Sequence, residues 1–198
     1  MPRRKKADAP VFESPVVKSY PPASSDLTLT DESATTKWLV RGNVGGAVTR
    51  QRGVNFGTSS ADGKVLVLGT RPGEWLLLGD NTEVKKAVKA LPAGANPKSD
   101  STELISAVDW THGRAMFRLT GTKAPQVLEK ICSLDWSDPM TPDGAVASAS
   151  VAKVTCDIAR NDQNGTPSYI IFCDRSFGQY LFDAILDSAA EFQIKTNR

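Results

Sequence analysis

Apolar and polar positions alternate with two different periods along this chain, and the switches between them mark its elements. KVLVLGTRPGEWLLLG (64 to 79) is two apolar runs around a polar turn, which predicts a β-hairpin. The next segment, DNTEVKKAVKAL, places Val84, Ala87, Val88 and Leu91 at i, i+3, i+4 and i+7, one face of a helix. Asp80, Asn81 or Thr82 is placed to cap its first turn, and Pro92 to end it.

The same order recurs twice. In RAMFRLTG (114 to 121), Ala115, Phe117 and Leu119 alternate with Met116, Arg118 and Thr120, which predicts a half-buried strand. TKAPQVLEKICSLD follows as a helix, with Thr122 as the expected N-cap and a buried stripe of Val127, Leu128, Ile131 and Cys132. SYIIFCD (168 to 174) predicts an apolar strand. RSFGQYLFDAILDSAAEF then predicts a helix capped by Asp174 or Ser176, burying Phe177, Leu181, Ala184, Ile185 and Ser188. Between them Val151, Val154 and Ile158 suggest a strand or strand pair. Strands and capped helices in this order predict an α+β fold, mainly antiparallel sheets with helices packed on them. The likeness of the first and third passes points to an internal duplication.

Residues 1 to 36 are rich in Pro, Ser, Thr, Asp and Lys and read as an extended N-terminal arm that orders only against something else. Residues 37 to 192 form the expected domain and 193 to 198 a C-terminal tail. Composition narrows the function classes. A net charge of +2, with charges spread along the chain, gives no strong pull toward nucleic acid or an anionic membrane. The basic run Arg3, Arg4, Lys5, Lys6 reads as a solvated arm, and Asp8 and Glu13 argue against a transit peptide. No apolar stretch approaches membrane-spanning length. Cys132, Cys156 and Cys173 are odd in number, far apart and without C-x-x-C spacing, so they read as buried thiols in a reducing cytoplasm.

Candidate chemistry is sparse. No P-loop, dinucleotide fingerprint or nucleophile elbow is present. GNVGGAVTRQRG (42 to 53) reads as a turn or flexible loop. Glu74 beside Trp75 could in principle hold a pterin ring, but the indole in WLLL reads as core. Arg114, Arg118 and Asp135 read as sheet-edge or interface charges. His112 is the only histidine, within VDWTHGRAMFRLTG. A base needs a positioned partner, and nothing marks a nucleophile for it to serve, so a small-hydrolase reading is weak. His112 is expected at a turn, hydrogen-bonding the backbone or Asp109. Trp110, His112 and Arg114 are the candidate structural or partner-interface residues, and no catalytic, cofactor-binding or metal-binding residue is assigned.

GTRPGEWLLLG, VDWTHGRAMFRLTG, ICSLDW, DGAVASASVAKV and DRSFGQYLFDAIL, in that order, resemble the motif string of the gamma subunit of heterotetrameric sarcosine oxidase. The resemblance covers most of residues 37 to 190. The string is more distantly similar to the folate-binding domains of glycine-cleavage aminomethyltransferase. Two positions depart from it: Thr122 stands where relatives have proline, and Trp110 where a smaller residue is commoner. The resemblance implies a complex that oxidises sarcosine to glycine with oxygen, forms hydrogen peroxide, and passes the one-carbon unit to tetrahydrofolate. It implies alpha and beta partner subunits carrying FAD, FMN and NAD, a delta subunit carrying zinc, and a gamma chain carrying none of these. A stand-alone folate-binding or aminomethyl-transfer protein is the alternative.

Overall fold

The computed structural model describes residues 11–20, 26–91 and 103–197. The basic run at Arg3–Lys6 and the expected helix stop at Pro92 lie outside them. The elements in chain order are β1 (Thr28–Asp31), β2 (Thr36–Arg41), α1 (Ala47–Arg52), β3 (Ser59–Asp62), β4 (Val65–Arg71), β5 (Glu74–Gly79), α2 (Asn81–Lys89) and β6 (Ser106–Asp109). Then come β7 (Arg114–Thr120), α3 (Ala124–Ile131), β8 (Val146–Val151), β9 (Val154–Arg160), β10 (Ser168–Asp174), α4 (Gly178–Ser188) and β11 (Lys195–Asn197). The fold is α+β, with two sheets that are almost wholly antiparallel. One has the order β3-β4-β5-β2-β6 and the other β11-β1-β7-β10-β9-β8.

The two sheets stack face to face between two helical layers. Val40, Val65, Val67, Trp75 and Leu77 bury one face of the five-stranded sheet under Val48 of α1 and Val84 of α2. Its other face presents Leu68, Leu76 and Leu78 to Met116, Ala159, Ile170 and Phe172 of the six-stranded sheet. The far face of that sheet packs Phe117, Leu119, Tyr169 and Ile171 against Val127 and Leu128 of α3 and Leu181, Phe182 and Ile185 of α4. β10 is covered on both faces, which is why SYIIFCD is continuously apolar where β7 alternates.

The duplication runs the length of the domain. β2-α1-β3-β4-β5-α2-β6 and β7-α3-β8-β9-β10-α4-β11 repeat one element order. Their strands take matching places in the two sheets, except that β1 is inserted between β7 and β11. The equivalent of α3 is therefore α1, in the glycine-rich stretch expected to be a loop. Its first turn has no capping side chain of its own. The Glu103 carboxylate reaches back to accept from the N–H groups of Asn43 (3.1 Å) and Ala47 (2.8 Å). That placement requires glycine at 46, because a Cβ there would lie 2.1 Å from Glu103 Oε1.

Several expected details shift. β1 lies inside the stretch read as arm, and β11 inside the stretch read as tail. Each is too short to show a clear period, yet Leu27 and Leu29 are core residues. Residues 11–20 order against the chain itself. Val16 is fully buried, Tyr20 packs on Phe182 with ring centroids 5.3 Å apart, and Lys18 pairs with Asp183 at 2.6 Å. Asp80 caps α2 as expected, accepting from the Thr82 N–H. Thr122 does not cap α3, since the Gly121 carbonyl takes the Ala124 N–H in a turn. A 3-10 turn over Arg175–Phe177 precedes α4, and its tighter winding leaves Phe177 half-exposed while Phe182 takes the core position. Neither Asp174 nor Ser176 caps there; Asp174 is held by Arg114.

Gly46→Ala and Glu103→Ala should each lower unfolding free energy by about 1 kcal/mol, the size of a lost helix cap. The double variant should lose much less than the sum, because both changes remove one interaction. Urea unfolding of the four proteins checks this, and strict additivity would refute the shared cap.

Candidate functional site: the WTHGR turn and its arginine–aspartate cluster

β6 and β7 are joined by a tight turn. The Asp109 carboxylate accepts from the Thr111 N–H at 2.9 Å, and the Gly113 N–H donates to the Trp110 carbonyl at 3.0 Å. Asp109, one of the two partners expected for His112 beside the backbone, thus holds the turn itself and not the imidazole. His112 is exposed, and its ring lies 5.4 Å from that of Phe12 in the N-terminal segment. Phe12 in turn lies under the Arg175 guanidinium at 5.1 Å. No acid or nucleophile among the described residues hydrogen-bonds the imidazole. His112 is an element of the surface where the chain's own N-terminal segment docks.

Arg114 engages a different set of partners. Its guanidinium stacks over Trp110 at 5.1 Å, donates to Asp174 at 3.0 Å and donates to Asp157 at 2.9 Å. The Asp157 side chain is 4% exposed. Its other oxygen accepts from Arg71 at 3.1 Å and from the Ser148 hydroxyl at 2.5 Å. Strand register explains the cluster. Met116, Phe172, Asp157 and Ser148 form one cross-strand row, and Arg114 and Asp174 pair in the next. Arg71 enters from the five-stranded sheet, so Asp157 bridges the two sheets.

Two guanidinium groups and two carboxylates balance formally. Both Asp157 oxygens are engaged by donors, Oδ1 by Arg71 and Ser148 and Oδ2 by Arg114. The arrangement suits a structural ion cluster and does not suit general-base work. The spacing of WTHGR brings Trp110 and Arg114 together and leaves His112 apart. Asp157 and Arg71 were not singled out from the sequence. The available signal was a lone acid on the inner face of an otherwise buried strand, DIAR, since a buried charge demands a partner.

The other charges noted from the sequence are also engaged. Arg118 donates to Glu32 at 2.7 Å, and Asp135 accepts from the Ser137 N–H at 2.9 Å. Glu74 pairs with Arg41 at 3.3 Å. Trp75 is 3% exposed with its indole N–H on the Val54 carbonyl, so the pair presents no stacking face for a pterin. A cleft of about 550 Å³ opens between the sheets, with Leu66, Leu78, Met116 and Ile170 along it and Glu32 and Arg118 at its polar side. Among the described residues no cluster of three or more His, Cys, Asp and Glu could hold a metal ion, and no helix is long and apolar enough to cross a membrane.

Lys37, beside this turn on β2, is fully buried and donates to the Ser33 and Thr35 carbonyls, each at 2.7 Å. Burial pulls its ammonium down from 10.5 to about 8, against the opposing pull of Asp31 and Asp109.

No family profile matches the sequence, and no curated protein matches it. Solved structures do. A chain of the heterotetrameric sarcosine oxidase from Corynebacterium sp. U-96, solved with pyrrole 2-carboxylate, superposes with a TM-score of 0.70 at 20% identity, covering 87% of this chain and 89% of that one. This chain has the fold of a sarcosine oxidase chain. The glycine cleavage system aminomethyltransferase T from Bartonella henselae superposes with a TM-score of 0.61 at 11% identity over 87% of this chain. This chain spans about half the length of that enzyme, 48%.

Two outcomes follow from the cluster and its neighbour. Asp157→Ala strands two guanidinium groups and should destabilise the chain by about 3 kcal/mol, whereas Arg71→Ala, at a group 40% exposed, should cost about 1 kcal/mol. Urea midpoints rank them, and equal small losses would refute the bridge. Lys37 releases its proton near pH 8 when folded but only near 10.5 when unfolded, so its contribution makes stability rise with pH above 8. Burial of the Cys156 and Cys173 thiols, pushed from 9.0 to about 12, reverses the slope above pH 9. Urea midpoints should therefore climb between about pH 8 and 9, and Lys37→Met should remove the climb.

Proposed function

We propose that this chain is the gamma subunit of a heterotetrameric sarcosine oxidase, a cytoplasmic complex that oxidatively demethylates sarcosine to glycine, releases hydrogen peroxide and passes the one-carbon unit to tetrahydrofolate. In this reading the alpha and beta subunits hold FAD, FMN, NAD and the folate, and the delta subunit holds zinc. The gamma chain contributes assembly and no chemistry. The observation that carries the reading is the reciprocal coverage of the structural likeness, which takes in nearly nine-tenths of both chains. The closed charge balance at the WTHGR site supports the non-catalytic part, because every acid there is already engaged.

The second reading, a stand-alone folate-binding or aminomethyl-transfer protein, draws on the aminomethyltransferase likeness and on the cleft between the sheets. One experiment separates the two. The tagged full chain is recovered under native conditions from its source organism, and the co-purifying proteins are identified by mass. The subunit reading expects large flavin-containing chains in fixed ratio and a colourless isolated gamma chain. Yellow colour travelling with the isolated chain would overturn it, as would saturable tetrahydrofolate binding by a chain that recovers no partner.

A further inference from the structure

The cleft between the sheets has the size and the wall chemistry of a small-molecule site. Its volume is about 550 Å³. Leu78 of β5, Met116 of β7 and Ile170 of β10 line it, each 3% exposed or less, with Leu66 of β4 beside them. Arg118 follows Met116 by two residues, so it lies on the same inner face of β7, cross-strand from Ile170.

Three protein groups hold the Arg118 fork. Nε donates to Glu32 at 2.7 Å, and Nη1 donates to Asn161 Oδ1 at 3.2 Å and to the Ser168 hydroxyl at 3.1 Å. Nη2 has no protein partner among the described residues, which leaves two N–H donors of an oriented guanidinium for a ligand. The wall beside it is fixed too. The Glu32 N–H donates to the Met116 carbonyl at 2.9 Å, and Lys37 ties down the Ser33 and Thr35 carbonyls. Lys64 enters from the β3–β4 turn. That turn is pressed on β5 at Gly79, whose φ is +151° and where a Cβ would lie 2.6 Å from the Lys64 carbonyl oxygen. The Lys64 side chain is exposed and pairs with no carboxylate among the described residues. A site ordered before binding loses little entropy when it is filled.

The charges on the lining do not cancel. Glu32 is its one acid, against Arg118 and Lys64, which leaves one positive charge beside an apolar floor. Low-dielectric walls strengthen the field of that charge. A neutral molecule would leave it uncompensated, and a cation would be repelled. The complement is a single carboxylate on a compact apolar body.

We infer that this cleft binds a small apolar monocarboxylate, its carboxylate on Arg118 Nη2 and Lys64 and its apolar body against Leu66, Leu78, Met116 and Ile170. The inference goes beyond the subunit reading, which gives the cleft no occupant, and its failure would leave the co-purification result untouched. It also differs from the folate reading, since tetrahydrofolate carries two carboxylates and a polar ring.

The full chain, labelled at its Ile, Leu and Met methyl groups, is titrated by NMR with naphthylacetate, with the uncharged naphthylacetamide and with tetrahydrofolate. Naphthylacetate should shift the Leu66, Leu78, Met116 and Ile170 methyls saturably and bind at least about tenfold tighter than the amide. Raising NaCl from about 50 to about 500 mM should weaken it several-fold. Arg118→Gln should weaken it about tenfold. Lys64→Glu should weaken it about fivefold with the thermal midpoint unchanged, because that side chain is exposed, so it carries the test if the Arg118 variant does not fold. Absence of the methyl shifts, equal binding of acid and amide, or tetrahydrofolate filling the cleft more tightly than naphthylacetate would each overturn the inference.

Discussion

A single carboxylate bridges the two sheets. Asp157 sits on the inner face of β9, in the row that otherwise carries Met116 and Phe172, where an unpaired charge would cost several kcal/mol. Arg114 from its own sheet and Arg71 from the facing sheet both bind it, and Ser148 closes the set. The apolar contacts between Leu68, Leu76, Leu78 and Ile170, Phe172 supply most of the attraction between the layers. They are non-directional, and the bridge supplies the direction. Arg71 reaches Asp157 at 3.1 Å across the two facing sheets. Trp110 then stacks on the Arg114 it leaves oriented.

The duplicated order of elements explains why the chain can bury so much with short strands. Each half builds a sheet with one face for its own helices and one for the other half. Neither inner face is covered alone, so the halves stabilise each other. The halves differ where the chain adds to the plan. β1 widens the second sheet and the segment at 11–20 straps α4, with Pro15 packed against Gly178 so closely that a Cβ there would overlap it. His112 belongs to this added layer through Phe12.

The hairpin at 64 to 79, the helix capped by Asp80 and the β7, β9 and β10 strands were legible because period and cap residues agreed. α1 was not, because its cap comes from Glu103, far along the chain, and its glycines look like loop. β1 and β11 were not, because strands of four and three residues hold too few positions to show a period. At the site, WTHGR was legible as a turn and Trp110 with Arg114 as a pair worth naming. Asp157 was not, since its meaning lies in the register of three strands and in an arginine from the other sheet. A glance at His112 alone suggests chemistry. Its neighbours show a tilted ring contact with Phe12 and no hydrogen-bonded acid among the described residues.

The fold with reciprocal coverage of a sarcosine oxidase chain, and a charged site whose acids are all engaged, are the two observations behind the proposed subunit reading. The most direct test of that proposal is the turnover of the sarcosine-oxidising complex it expects, purified with His112→Ala in this chain and shown intact by sedimentation. Turnover within about twofold of wild type is the result the proposal expects, because it places the chemistry in other chains and gives His112 only a ring contact with Phe12. A fall of about a thousandfold in an intact complex, the size expected for removal of a general base, would contradict the account.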